Sequence, residues 1–445
     1  MNAPLYQALC AFAGEKGLRM HMPGHKGKAM SPLFSAAAID YTELEPTGNL
    51  YTGEGPIAAA EQLAARAWGA YSAFFLTGGS TQGVMTALAL CAAPGSTIAL
   101  DRNTHKSFFH AMALLDLHPV YLSDIGAEQV ERVLANHGEI KTVCVTSPTY
   151  YGVVADIEGL GAVCRKHGAR LLVDEAHGAH FPFVGRGPCA AGRGAAVSVS
   201  SAHKTLPALG GGAMLFTDGS FSPMEVRLRA SMFGTSSPSY PIMASMDWAR
   251  DNLEGEGGAR YRAVAEQTAA LRRRINARGV FHALCEEDGL CLDPTRLTVH
   301  TACAGLDGRA AGAFLSQQQG VWPEMENRDC VVFILTCADS DEDLERLECA
   351  LRRLEHLATG APLPPCPPPP LPEICCSVRE ALFAPLAPMP LGEACGRISA
   401  VSVAPYPPGV PVVAPGERIT AEILSYLQTI GYPLDTPVFV LPKGE

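Results

Sequence analysis

Short apolar runs alternate with amphipathic stretches between about Ala73 and Thr217. The runs AFFLTG, TIALDR, PVYLS, KTVCVTSP, RLLVDEAH, AVSVSS and GAMLFT predict strands. Helical patterns such as TQGVMTALALCAA, KSFFHAMALLD, AEQVERVLANHG and IEGLGAVCRKHG lie between them. This alternation predicts βα units in a doubly wound, mostly parallel sheet. Ligands bind beyond the carboxyl ends of such strands, so the polar residues that follow each run are the candidate site residues.

The pattern divides the chain into five segments. They are an N-terminal segment and linker (1–70), a large domain (71–280), a small α/β domain (281–358), a Pro-rich linker (359–373) and a C-terminal unit (374–445). The linker sequence TGAPLPPCPPPPLPE contains too much proline for a helix or a central strand. The predicted fold class is therefore α/β, with smaller α+β units toward the C-terminus.

Composition narrows the class of protein. The 445 residues are 47% hydrophobic and 18% charged, which is enough apolar material for a large core. A formal net charge of -11 disfavours nucleic acid and anionic membranes as partners and is compatible with a cationic small molecule. The N-terminal sequence lacks a signal-peptide pattern, and we expect a cytoplasmic protein whose fifteen scattered cysteines are reduced.

A glycine-rich turn follows the first predicted strand in LTGGSTQGVMTAL. Gly79, Ser80 and Thr81 would stand at the N-terminus of the next helix, where backbone N–H groups and hydroxyls can bind a phosphate. Alone, such a turn is more often only a helix cap.

Two charged residues follow later strands. Asp174 ends RLLVD, and Lys204 follows AVSVSS beside Ser201 and His203. Pyridoxal phosphate (PLP) needs a lysine that forms a Schiff base with its aldehyde and a carboxylate that keeps its ring nitrogen protonated. The spacing predicts that Asp174 and Lys204 lie on neighbouring carboxyl ends of one sheet. An unrelated strand-end Asp and a surface Lys are the alternatives.

Histidines add a third feature. His105 follows a strand and could stack on a cofactor ring, and His177 lies close behind Asp174. The motif DEAHGAH could instead offer Asp174, His177 and His180 to zinc. Gly178 interrupts the helix that would align those ligands, so no metal is expected.

Taken together, eight motifs make the chain resemble the short-form ornithine/lysine/arginine decarboxylases. They are HMPGHKG, LTGGSTQG, DRNTHKS, TSPTYYG, VDEAHGAH, SSAHKTL, TSSPSY and APYPPGVPVVAPGE. The resemblance implies the PLP aminotransferase-like fold and decarboxylation of a basic amino acid. It implies Lys204 as the Schiff-base residue, Asp174 as the partner of the ring nitrogen and His105 as the stacking residue. The implied phosphate and cofactor contacts are Gly79, Ser80, Thr81, His177, Ser201 and His203.

The resemblance also implies a homodimer with shared active sites. Ser236 in TSSPSY would reach the cofactor phosphate of the neighbouring subunit, and Glu417 would lie near the distal cation of the substrate. The stretch TGNLYTGEGP departs from the family pattern, which commonly has an acidic residue and a histidine there. Two rivals remain: another PLP enzyme, such as an aminotransferase or aldolase that uses Arg296 to bind the α-carboxylate, and a catalytically silent binding protein.

Overall fold

The computed structural model describes residues 1–15, 18–405 and 409–442. Its helices are α1 (Pro4–Gly14), α2 (Gly55–Trp68), α3 (Gly79–Cys91), α4 (Lys106–Leu115), α5 (Ala127–Asn136), α6 (Ile157–Lys166), α7 (Ala202–Thr205), α8 (Pro223–Phe233), α9 (Tyr240–Glu254), α10 (Glu256–Arg278), α11 (Gly308–Gln319), α12 (Asp341–Glu355), α13 (Val378–Phe383) and α14 (Ala421–Thr429). Its strands are β1 (Ser72–Leu76), β2 (Thr97–Asp101), β3 (His118–Leu122), β4 (Thr142–Thr146), β5 (Arg170–Asp174), β6 (Val197–Ser200), β7 (Ala213–Thr217), β8 (His282–Ala283), β9 (Arg296–His300), β10 (Met325–Glu326), β11 (Cys330–Ile334), β12 (Ala387–Pro390) and β13 (Pro437–Val440).

The central sheet has seven strands in the order β1-β7-β6-β5-β4-β2-β3. Each of the predicted apolar runs overlaps one of them. The sheet is parallel from β6 to β3, whereas β7 runs antiparallel to both β1 and β6. The predicted mostly parallel, doubly wound sheet is therefore confirmed, with a single reversed strand inside it.

Helices bury both faces of this sheet, which explains why its strands are continuous apolar runs. On one face, side chains such as Phe74, Leu100 and Leu172 pack with residues of α3, α4 and α8. On the other face, α2 and α9 cover the β1–β7 end, and α5 and α6 cover the β4–β5 region. Helix α3 comes so close to β6 that a Cβ atom at Gly83 would lie 2.4 Å from the Val199 side chain. Glycine is therefore required where the helix crosses the strand.

The smaller units lie at the C-terminal side of the chain. Strands β10-β11-β9-β8 form an antiparallel sheet that packs with α11 and α12. Strands β12 and β13 pair beside α14 around a separate apolar cluster. Residues 361–373 between them contain neither helix nor strand, as the proline content predicts. The domain boundaries themselves stay predictions. In the described ranges, the helices are too short or too polar to span a bilayer.

Trp68 connects the core to the loop that follows β5. The indole is fully buried between Phe183 and Phe216, and its Nε1–H donates to the carbonyl of Ala179 at 2.8 Å. Ala179 belongs to the DEAHGAH motif, so the end of α2 fixes the position of a candidate site loop.

Substitution Trp68→Phe removes this donor and leaves the buried Ala179 carbonyl without it. We expect the free energy of unfolding to fall by roughly 1–3 kcal/mol, measured by chemical denaturation. Trp322→Phe is the matched control, because Trp322 is 81% exposed and its loss should change stability by less than about 0.5 kcal/mol. Equal effects of the two substitutions would contradict this account of Trp68.

Candidate active site

A pocket opens at the carboxyl ends of the parallel strands. It is lined by Ser80, Asn103, His105, Thr146, Tyr150, Asp174, Ala176, His177, Lys204 and Val410. The register explains this convergence, because Asp174 at the end of β5 pairs with Thr146 of β4 and with Val199 of β6. The predicted placement of Asp174 and Lys204 at neighbouring strand ends is therefore confirmed.

Lys204 lies in the short helix α7, which begins directly after β6. Its Nζ is 3.1 Å from Nε2 of His177. Burial lowers the pKa of the Lys204 amine, and the charges of Asp174 and Glu324 oppose that shift only in part. A lysine with a lowered pKa has a larger neutral fraction near neutral pH, and only the neutral amine is a nucleophile.

Asp174 is the buried carboxylate of the pocket. Its Oδ1 accepts a hydrogen bond from the backbone N–H of Ala176 at 3.1 Å. Burial raises the pKa of Asp174, whereas Lys204 and the Ala176 N–H favour the charged form. A carboxylate in this position is available to a cationic group that enters the pocket.

His105 is the N-cap of α4. Its Nδ1 accepts from the backbone N–H of Ser107 at 3.2 Å and lies 2.9 Å from the Ser107 hydroxyl. Burial, followed by the charge of Lys204, lowers the pKa of His105 to about 4. The ring is therefore neutral near pH 7, and its local contacts hold it at the wall of the pocket.

The start of α3 supplies another wall. Gly79 has φ +69°, a left-handed backbone conformation that glycine adopts without strain, and its N–H donates to the Gly211 carbonyl. The first N–H groups of a helix lack intrahelical acceptors, and Ser80 in this turn lines the pocket. The buried hydroxyl of Thr146, which lines the pocket, has no hydrogen-bond partner among the described residues, and the same is true of Ser201, which lies outside the lining. The pocket thus presents polar groups that a bound polar ligand could satisfy.

The structure brings five predicted site residues together in the pocket lining. They are Ser80, His105, Asp174, His177 and Lys204. Gly79, Thr81, Ser201 and His203 are their chain neighbours, and Nδ1 of His203 is turned to the Gly212 carbonyl at 2.8 Å. Ser236 is exposed in the loop between α8 and α9 and is not part of this lining.

Glu417, the expected substrate contact, is paired with another residue of the chain. Its carboxylate is 1% exposed and forms a bidentate ion pair with Arg102, with two N–O distances of 2.8 Å. It also accepts the backbone N–H of Ala414 at 2.6 Å and lines a separate cavity beside Tyr121. The sequence could not reveal this pairing, because Arg102 lies 315 positions before Glu417. The pair fastens the C-terminal unit to the end of β2.

The sequence reasoning missed several residues of the pocket. Asn103 follows β2, Thr146 ends β4 and Tyr150 follows it, so the same rule about strand ends could have found them. Val410 comes from the C-terminal unit, and no local pattern connects it with the large domain. The neighbouring residues 406–408 of the APYPPGVPVVAPGE motif lie outside the described residues.

The side chains of DEAHGAH point to different partners. His177 faces Lys204, whereas Nε2 of the buried His180 lies 3.0 Å from Asp293 Oδ1. In the described part of the chain, ligand-type atoms converge instead at His282, Cys285 and Asp288, which form a capped turn on the small domain. The zinc alternative for DEAHGAH therefore lacks the convergence that a metal needs.

Comparisons with known proteins identify similar sequences and folds. The family model described as "Orn/Lys/Arg decarboxylase, major domain" matches residues 3–287, and the model of the C-terminal domain of the same family matches residues 379–432. The arginine decarboxylase of Bacillus subtilis (strain 168) is 33% identical, over 96% of this chain and 93% of the relative.

Solved structures show the same fold. A lysine decarboxylase from Francisella novicida has a TM-score of 0.82 at 20% identity, over 99% of this chain and 81% of its own. A serine palmitoyltransferase from S. paucimobilis with a bound PLP–myriocin adduct has a TM-score of 0.55 at 17% identity, over 67% of this chain and 76% of its own. The first likeness covers nearly the whole chain, whereas the second covers about two thirds of it.

Glu417→Gln should destabilise the protein, because it leaves the Arg102 guanidinium partly buried without its carboxylate. We expect a loss of about 3 kcal/mol in chemical denaturation, and partial recovery in Arg102→Leu/Glu417→Leu. Glu373→Gln is the control, since Glu373 pairs with Arg418 at the surface and should contribute less than about 1 kcal/mol. If Glu417→Gln kept full stability and lost only substrate affinity, Glu417 would be a substrate contact after all.

The lowered pKa of His105 predicts a pH dependence of stability. Between pH 6.5 and pH 4 the unfolded chain binds a proton on this ring and the folded chain does not, so stability falls as the pH drops through that window. His105→Gln should therefore lose less unfolding free energy than the wild type between pH 7 and pH 4. Identical pH profiles would mean that the ring titrates alike in both states.

Proposed function

Since the chain belongs to the Orn/Lys/Arg decarboxylase family, we propose that it removes the α-carboxyl group of a basic amino acid with PLP as its cofactor. The family membership confirms the resemblance that the motifs indicate. The observation that carries the proposal is the pocket in which the buried Asp174 and the Lys204 amine meet at neighbouring strand ends.

PLP fits the residues of this pocket. Lys204 offers the amine that would hold the aldehyde carbon, and Asp174 offers a carboxylate to the ring nitrogen. His105 and Ala176 form walls against which an aromatic ring can lie. The start of α3 around Ser80 and the unpartnered hydroxyl of Ser201 suit a phosphate.

When bound, PLP supplies an electron sink for the electron pair that remains on Cα after CO2 leaves. The residues of the chain have three tasks around it. As a carboxylate, the buried Asp174 would favour a cationic ring nitrogen. Lys204 holds or releases a proton at Nζ, because burial lowers the pKa of its amine. Near neutral pH the uncharged His105 adds no further positive charge to the wall.

A second carboxylate contacts a residue of the pocket lining. Glu324 accepts a hydrogen bond from the hydroxyl of Tyr150, a pocket residue, and its charge acts on Lys204. Since the Glu417 carboxylate is already paired with Arg102, Glu324 is the better candidate to bind the distal cation of a lysine, arginine or ornithine substrate. The net charge of -11 favours the approach of such substrates.

We further propose that the enzyme acts in the cytoplasm as a homodimer and forms a polyamine or a polyamine precursor. The exposed position of Ser236 is compatible with a contact to the cofactor phosphate in a second copy. The Arg296 guanidinium, which an aminotransferase would turn to a substrate carboxylate, is engaged by His177 and by the Tyr150 carbonyl. No geometry in the described residues therefore favours the aminotransferase alternative.

The central test is Lys204→Ala. The wild type should bind PLP with a visible absorbance band, form a borohydride-reducible adduct at Lys204, and release CO2 from lysine, arginine or ornithine. Lys204→Ala should lose the adduct and at least ~10³-fold in kcat, because the amine is the nucleophile. Lys106→Ala is the matched control, since Lys106 is an exposed lysine beside His105. Amino transfer to a keto acid instead of CO2 release would contradict the proposed reaction.

The role of Glu324 is tested by Glu324→Gln. We expect KM for the preferred basic amino acid to rise about tenfold with a smaller change in kcat, because a contact to the distal cation acts mainly on binding. Glu326→Gln is the control, because Glu326 is an exposed acid two residues away, at the end of β10. Equal KM values for both variants would remove Glu324 from the substrate site.

A further inference from the structure

A chain of buried contacts runs from the small domain to Lys204. Nη2 of Arg296, at the start of β9, is 3.1 Å from Nδ1 of His177. Nε2 of the same ring is 3.1 Å from Nζ of Lys204. Arg296 and His177 are both almost completely buried. We infer that Arg296 is a positioning residue that holds His177 as the Nε2–H tautomer and thereby keeps Lys204 as a neutral amine.

The direction of the first hydrogen bond is fixed by chemistry. A guanidinium has N–H donors and no acceptor, so Nδ1 of His177 must accept from Arg296. In a neutral imidazole the other nitrogen then carries the proton. The Nε2–H of His177 therefore points at Lys204.

The second hydrogen bond follows from the first. A donating Nε2–H needs a lone pair on Nζ, which Lys204 has only as the neutral amine. A charged Lys204 would need Nε2 as an acceptor, and an imidazole whose nitrogens both accept would have to be an anion. The contact thus selects the protonation state in which the lysine is a nucleophile.

A protonated His177 is not an alternative to this arrangement. Burial, followed by the charges of Lys204 and Arg296, lowers the pKa of His177 well below its ordinary value. The other titratable rings that face it are His180 and His105. The Tyr150 ring makes an edge contact with His177, with the two ring centroids 4.7 Å apart. Among the carboxylates around Lys204, Asp174 and Glu324 favour the charged amine, but burial outweighs them.

Arg296 is itself held in place. Its Nη1 donates to the Tyr150 carbonyl at 3.2 Å, and its Nε lies 4.0 Å from Asp293 Oδ2. Asp293 is fixed by His180 at 3.0 Å and by the backbone N–H of Thr295 at 2.8 Å. The second histidine of DEAHGAH thus supports the guanidinium, which in turn orients the first.

The first test needs no cofactor. In apo protein with ¹⁵N-labelled histidine, the His177 signals, assigned by their loss in His177→Gln, should report a protonated Nε2 and an unprotonated Nδ1. Arg296→Met should abolish this preference, and Arg296→Lys should restore it, because an ammonium also donates to Nδ1. A wild-type ring with its proton on Nδ1 would overturn the inference without any variant.

The second test reports on the lysine. Apo protein is treated with formaldehyde and cyanoborohydride across a range of pH, and methylation of Lys204 is quantified by peptide mass spectrometry with Lys106 as the internal reference. In Arg296→Met the Lys204 profile should move upward by about one pH unit, so that labelling at neutral pH slows about tenfold. Arg272→Lys is the control. Arg272 is also a buried arginine, but its guanidinium donates to the backbone carbonyls of Asp293 and Arg296 and not to His177. An unchanged Lys204 profile in Arg296→Met would contradict the inference.

The benefit for catalysis rests on the proposed function, in which Lys204 attacks the cofactor aldehyde. The two can fail separately. If PLP bound without an adduct at Lys204, the proposed function would be wrong while the tautomer result could stand. If His177 had the other tautomer, the inference would be wrong while Lys204 could still bind PLP.

Discussion

The parallel pairing of β5 with β6 is the constraint on which the site depends. Its register sets Asp174 opposite Val199, only a few residues before Lys204. Leu171, Leu172 and Val173 of β5 and the whole of β6 are buried, and the charged residues of β5, Arg170 and Asp174, stand at its two ends. The carboxylate and the amine therefore meet at the same edge of the sheet and line the same pocket. Burial there raises the pKa of Asp174 and lowers the pKa of Lys204, so it favours the neutral form of each group.

The smaller units complete that opening from the side. Val410 reaches the pocket from the C-terminal unit, and the Arg102–Glu417 ion pair anchors the segment that carries it to the end of β2. Arg102 also donates to the Val412 carbonyl at 3.0 Å and lies over the Tyr121 ring. The C-terminal unit is thus fastened one residue away from Asn103, itself a pocket residue, so its docking and the shape of the pocket depend on each other.

The sequence was sufficient where local rules apply. Period and composition predicted every strand of the central sheet, and the rule about strand ends predicted Asp174, His105 and Lys204 in one site. It was insufficient where the partner lies far away along the chain. The family resemblance implied Glu417 as a substrate contact, and the local motif carries no sign that its carboxylate pairs with Arg102.

The same limit applied to Arg296, whose positive charge suggests a clamp for a substrate carboxylate until its neighbours are known. In the structure its guanidinium is turned to His177, behind the wall of the pocket. This orientation agrees with the energetics of decarboxylation. A cation that gripped the leaving carboxylate would stabilise the substrate more than the state in which the charge has moved away, and would slow the reaction. An arginine that faces the lysine side instead lowers the pKa of Lys204 without that cost. The placement of the buried Arg296 guanidinium thus favours decarboxylation over a reaction that retains the substrate carboxylate.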